Sequence, residues 1–233
     1  MAKKQNRFDF AEFQANLLAS APKPTQIEIK EERKYFLIVS EGTRTEPIYF
    51  KYLASLLPPN LVNTIEVNGA GDNTVNVVRK AIALRNKRRS NRNMPPYDEV
   101  WAVYDKDDFP AKRYNGAIFL ADSEGIKSAH SNQSFELWYV LHYEYLQSAL
   151  HRTDYIRKLT GHMGLPYTKN TPRVVEQLLK TGNVNQAIER AKSLEIIHVG
   201  KTPTDSCPHT SVYKLVETLN RYIDDHKPKN MYR

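Results

Sequence analysis

Residues 35–39, Tyr-Phe-Leu-Ile-Val, form an unbroken apolar run rich in β-formers, the pattern of a strand buried on both faces of a parallel sheet. The run stops at Ser40-Glu41-Gly42. Thr45 or Glu46 ahead of Pro47 marks a helix start, and Tyr49, Phe50, Leu53, Leu56 and Leu57 then recur at helical spacing up to Pro58-Pro59. Residues 61–67 read as a second strand, Gly69-Ala70-Gly71-Asp72 as a turn, and 74–89 as a helix with Val75, Val78, Ile82 and Arg85 on one face. Residues 100–104 repeat the buried-strand pattern and run into Asp105-Lys106-Asp107-Asp108. A weaker strand over 125–130 precedes Ser131-Asn132 and an apolar helix over 135–146. Beyond residue 151 the signals are helical, over 172–180, 184–194 and 212–223, with Pro203 and Pro208 breaking the stretch between.

Alternating strands and helices predict an α/β fold with a doubly wound, mainly parallel sheet, in which sites form beyond the carboxyl ends of the strands. Residues 1–32 are polar, contain Ala21-Pro22-Lys23-Pro24, and read as a flexible N-terminal arm. Residues 33–150 read as the α/β core and 151–233 as a helical C-terminal extension packed on it.

Composition narrows the partners. The 233 residues carry a formal charge of +8, which favours a polyanion, because neutralising phosphates and releasing counterions drives nucleic-acid affinity. Cys207 is the sole cysteine, so intrachain disulfides and multi-thiolate zinc sites are excluded. No apolar run approaches the ~20 residues of a membrane helix, and the basic start MAKKQNR leads into no signal-peptide core. These features predict a cytoplasmic protein with no membrane contact.

The acids at the strand exits carry the chemistry. Glu41 follows the first strand, Asp105 and Asp107 the third, and in a parallel sheet such exits can be neighbours. Were the strand to continue, Asp105 and Asp107 would share a face ~7 Å apart, and curvature at its end could bring both to one ion. Hard oxygen donors of this kind suit Mg2+ or Mn2+. The plainer reading makes Glu41 a solvated turn residue and the aspartates a strand end. Glu46 and Glu136 each fall in the first turn of a helix, where the dipole favours a carboxylate whatever the function, and Ser134 is the expected cap before Glu136. Both stay open as site neighbours, as does Asp108, which also suits a solvated loop. Arg79, Arg85, Lys87, Arg88, Arg89 and Arg92 lie in a stretch without one acid. That density suits phosphate contacts or a solvated helix end.

Three ordered blocks give a resemblance. Glu41-Gly42 after one hydrophobic strand and Asp105-Lys106-Asp107 after a later one resemble the Toprim domain of topoisomerases, bacterial primases and overcoming-lysogenization-defect nucleases. More narrowly, Glu41 to Phe50, Tyr104 to Phe109 and Ser131 to Trp138 resemble the RloB-like family, and the likeness spans roughly residues 34–225. The resemblance implies a Toprim-like sheet with Glu41, Asp105 and Asp107 as metal-site acids. It further implies a metal-dependent nuclease on DNA or RNA, a place in bacterial anti-phage defence, and an ATPase partner. The rival reading is a non-catalytic module that binds nucleic acid or the ATPase on the same scaffold. The sequence holds no Gly-x-Ser-x-Gly elbow and no helical zinc-pair histidines.

Overall fold

Strands β1 (Phe36–Ser40), β2 (Ile65–Gly69), β3 (Glu99–Asp105), β4 (Lys127–Asn132) and β5 (His209–Thr210) form one sheet in the order β2-β1-β3-β4-β5. The first four are parallel, and β5 runs antiparallel to the end of β4. The computed structural model describes residues 33–70 and 73–226, so the 1–32 arm and the Gly71-Asp72 half of the expected turn lie outside the described residues. Because β1 is flanked by β2 and β3 and covered on both sides, its apolar run is continuous. Phe36 and Ile38 join Trp101, Val103 and Ala129 in one core, whereas Leu37 and Val39 join Val100, Ala102 and Tyr104 in the other.

Eight α-helices cover the two faces among the described residues. On the Leu37 face lie α2 (Thr74–Ser90) and α3 (Ala111–Ser123). On the Phe36 face lie α1 (Thr45–Ser55), α4 (Glu136–Leu141), α5 (Arg152–Met163), α6 (Pro172–Thr181), α7 (Val184–Ile197) and α8 (Val212–His226). Helices beyond residue 151 thus bury Tyr155, Leu178, Leu194 and Leu219 in the same core as Tyr49 and Phe50. No described helix is long and apolar enough to cross a membrane.

Several elements depart from the sequence expectation. The second strand begins only at Ile65, because Val62–Thr64 closes a 3₁₀ turn first. The apolar helix after β4 ends at Leu141, and its start has Phe135 in the cap position with no side-chain hydrogen bond, so Ser134 is not its cap. Helix α3 buries only Tyr114, Ala117 and Ala121, too thin a stripe to stand out. Helix α5 buries Tyr155, Leu159 and Met163 at clean i, i+4 spacing within a polar stretch.

Helix α2 turns the predicted face inward with its centre shifted: Val77, Val78, Ala81, Arg85 and Arg88 are buried, and Val75 and Ile82 pack half-buried against the same core. Of the basic residues read as phosphate contacts, Arg85 and Arg88 are therefore structural instead. Arg85 grips the Glu124 carboxylate at 3.0 Å and also its carbonyl. Arg88 donates from Nε to the Pro95 carbonyl at 2.7 Å, lies 4.3 Å from the Tyr97 ring and 5.1 Å from the Tyr35 ring, and has Glu66 at 3.7 Å. Long basic side chains bury their stems while the guanidinium finds acceptors. Arg79, Lys87, Arg89 and Arg92 remain exposed. Arg88→Ser should then lower the unfolding free energy by about 2 kcal/mol while Arg89→Ser leaves it within about 0.5 kcal/mol. Urea titrations check this, and equal midpoints for the two variants would return Arg88 to the solvent face.

Candidate functional site: an acidic cleft at the β1 and β3 exits

The chain leaves β1 toward β2 on one side and later returns to β3 on the other, so the β1–β3 boundary is the switch point where open α/β sheets form crevices. Ser40 pairs with Val103 there. The Glu41 N–H continues the ladder by donating to the Val103 carbonyl at 2.8 Å, and the Asp105 N–H donates to Glu41 Oε2 at 3.2 Å. The Glu41 carboxylate is thereby laid across the end of β3.

Gly42 lets Glu46 come in behind it. Its N–H donates to Glu46 Oε1 at 3.2 Å, and a Cβ on Gly42 would sit 2.1 Å from Glu46 Oε2. Glu46, in the first turn of α1, is only 6% exposed. Asp105 closes β3, and its Oδ2 accepts the Phe135 N–H at 2.9 Å, which fixes the plane of the carboxylate. The strand does not continue to Asp107 as the spacing alone suggests. Asp107 adopts φ +42, with its N–H bound to the Gln133 carbonyl at 2.9 Å, and it is this left-handed turn that returns its carboxylate to the cleft. Such a backbone costs an L-residue about 1 kcal/mol, tolerated best by Asp and Asn. Among the described residues the other non-glycine position of positive φ is Asn170, also in the cleft wall, where it accepts from Thr45 Oγ1 at 2.9 Å. Backbone strain of this kind collects at functional sites.

The cleft has a volume of about 200 Å³ and is lined by Glu41, Glu46, Asp105, Asp107 and Glu136 together with Lys169. Asp108 does not line it: this residue is exposed in the loop and held by Arg152 at 2.5 Å. Burial pushes Asp105 well above the usual carboxylate range, with Glu46, Asp107 and Glu136 adding repulsion and the Phe135 N–H opposing. Glu46 is raised by burial against the pull of backbone N–H groups, and Asp107 by burial against Arg152 and Lys169. For Glu136 burial acts upward too, yet the Lys169 ammonium at 2.8 Å together with hydrogen bonds from Ser134 and the backbone holds the carboxyl below its ordinary value. The Tyr167 hydroxyl donates to the same carboxylate at 3.1 Å. Five carboxylates thus share a small space with too little positive charge. All-oxygen donors in this setting suit a hard divalent cation, and Glu41, Asp105 and Asp107 are the donors that the sequence singles out as able to hold one. Among the described residues no three or more such groups converge as a ready cage.

Sequence reasoning missed the cations. Lys169 lies in the segment between α5 and α6, and Arg152 opens α5, donating to Asp107 at 3.1 Å. A lone lysine between helices carries no signal. A basic residue at a helix start does carry a faint one, because the dipole opposes it there.

A family model described as RloB-like protein matches residues 36–219, most of the chain. No curated protein and no solved structure matches.

The repulsion at Asp105 predicts an inverted response to mutation. Asp105→Asn keeps the acceptor for Phe135 but removes a charge that the folded state disfavours, so in chelator at neutral pH the variant should melt higher than the wild type. Because the folded-state carboxyl is raised, the wild type loses stability as pH climbs from the unfolded carboxylate value near 4, and the variant loses less. Mn2+ should raise the melting temperature of the wild type and leave Asp105→Asn nearly unmoved. A variant that melts lower in chelator and still responds to Mn2+ would contradict the electrostatic account.

Proposed function

The chain belongs to the RloB-like family, and on that premise we propose that it is a metal-dependent phosphodiesterase acting on DNA or RNA through a Toprim-type acid site. The observation that carries this reading is the group of buried and half-buried carboxylates crowded at the carboxyl ends of adjacent β1 and β3, with Asp105 and Glu41 joined by one hydrogen bond. In this reading Asp105 and Asp107 hold Mg2+ or Mn2+, and Glu41 serves as a further ligand or as the base for water. A bound ion of this type neutralises charge on phosphate oxygens and lowers the pKa of an attacking water. The protein's own part is orientation. The Phe135 N–H sets Asp105, the Asp105 N–H sets Glu41, and the turn at Gln133 sets Asp107. Glu136 is held by Lys169 and acts on the cleft through charge.

The formal charge of +8 and the exposed Arg79, Lys87, Arg89 and Arg92 support a polyanionic substrate. The family resemblance adds the setting: anti-phage defence beside an ATPase. Labelled DNA and RNA incubated with the protein in Mg2+, Mn2+ and chelator test the reading, with Asp105→Asn and Glu41→Gln in parallel. The expected result is divalent-dependent cleavage that falls by about a hundredfold or more in each variant while binding persists. If both variants fold, bind and cut like the wild type, or if the wild type cuts nothing even beside its ATPase, the non-catalytic module replaces this proposal.

A further inference from the structure

Arg152 is the first residue of α5, next to His151, whose ring accepts from the Thr153 N–H to cap the helix. The dipole disfavours a guanidinium at that end, so what keeps it there must lie outside the helix. Its Nη1 donates to Asp107 Oδ1 at 3.1 Å and its Nη2 to Asp108 Oδ2 at 2.5 Å, one fork bridging two consecutive carboxylates. Asp107 meets this fork from a left-handed backbone, φ +42. The Arg152 side chain is 30% exposed, and Asp108 is 76% exposed, so the bridge stands at the rim of the acid cleft and opens to solvent.

Arg152 holds Asp107 through Oδ1, and a divalent ion that takes the same carboxylate draws off the negative charge that keeps the guanidinium there. A doubly charged ion that also engages Asp105 outcompetes a single charge whose other anchor is an exposed loop carboxylate, because exposed pairs of that kind contribute little. Once displaced, a planar guanidinium at a cleft rim matches a phosphate with two parallel hydrogen bonds. We propose that Arg152 and a divalent cation compete for Asp107, so that binding of the cation hands the Arg152 guanidinium to a phosphate of the substrate at the cleft mouth. This inference rests on the metal-dependent reading above and adds an order to it, metal before nucleic acid. It also adds a coupling: by linkage, whatever metal does for nucleic-acid affinity through Arg152, nucleic acid does for metal affinity.

Three measurements on wild type, Arg152→Gln and Arg152→Lys test the coupling: Mn2+ titration by calorimetry, anisotropy of a short labelled single-stranded DNA and RNA with Mn2+ and with chelator, and thermal melts. Arg152→Gln should bind Mn2+ about fivefold or more tightly than wild type, and should bind the oligonucleotide about fivefold or more weakly in Mn2+ but equally in chelator. Arg152→Lys keeps the charge and loses the fork, so it should shift partway in both directions, and it carries the comparison if the glutamine variant melts early. Unchanged or weaker Mn2+ binding by the variants overturns the competition and leaves the metal reading standing. Oligonucleotide binding lost equally with and without Mn2+ makes Arg152 an ordinary phosphate contact and overturns the coupling. If none of the proteins binds Mn2+, the metal reading falls, and the competition with it.

Discussion

Negative charge crowded into a half-buried cleft governs this molecule. Burial and the Glu46, Asp107 and Glu136 carboxylates together drive Asp105 far from its ordinary ionisation, and the surrounding structure is arranged around that repulsion. Backbone N–H groups are aimed at the acids: Phe135 at Asp105, Asp105 at Glu41 and Gly42 at Glu46. Two cations are brought from the C-terminal half of the chain, Lys169 to Glu136 and Arg152 to Asp107. Even the backbone yields, at Gly42, where a side chain would strike Glu46, and at Asp107, which takes a left-handed conformation. A fold selected for stability alone would dilute these charges, because replacing buried ionic groups by apolar ones is often neutral or better.

The topology sets where the charge collects. With β1 between β2 and β3, the two strands that end in acids are hydrogen-bonded neighbours, and their exits open on the switch point of the sheet. Helix α1, which follows the β1 exit, lies on the Phe36 face with α4, α5 and α6, and Arg152 at the start of α5 and Lys169 in the segment before α6 reach the acids at the same edge. The cleft is therefore built by residues from 41 to 170, and no stretch of the chain contains it alone.

That distribution explains what could be read from the sequence. The runs at 36–39 and 100–104 were legible because strands buried on both faces lose their alternation. The juxtaposition of Glu41 with Asp105 followed from the rule for parallel sheets. Lys169, Arg152 and Asn170 were not legible, since only tertiary packing brings them across the cleft. The return of Asp107 by a positive φ was hidden as well, because the Asp-x-Asp spacing reads as continued strand. Arg85 and Arg88 misled in the opposite direction: a run of basic residues looks solvated, and nothing local reveals that Glu124, Pro95 and Tyr97 wait for two of them. The exposed remainder, Arg79, Lys87, Arg89 and Arg92, is a thinner basic surface than the sequence suggests.

On the function proposed above, the carboxylates at the β1 and β3 exits form one cation site. A crystal grown with Mn2+ and measured for anomalous scattering tests it most directly. The expected result is a manganese peak touching Asp105 or Asp107, with Glu41 within one water of it. A peak found only elsewhere on the protein, or these carboxylates splayed apart in every crystal form, would contradict it.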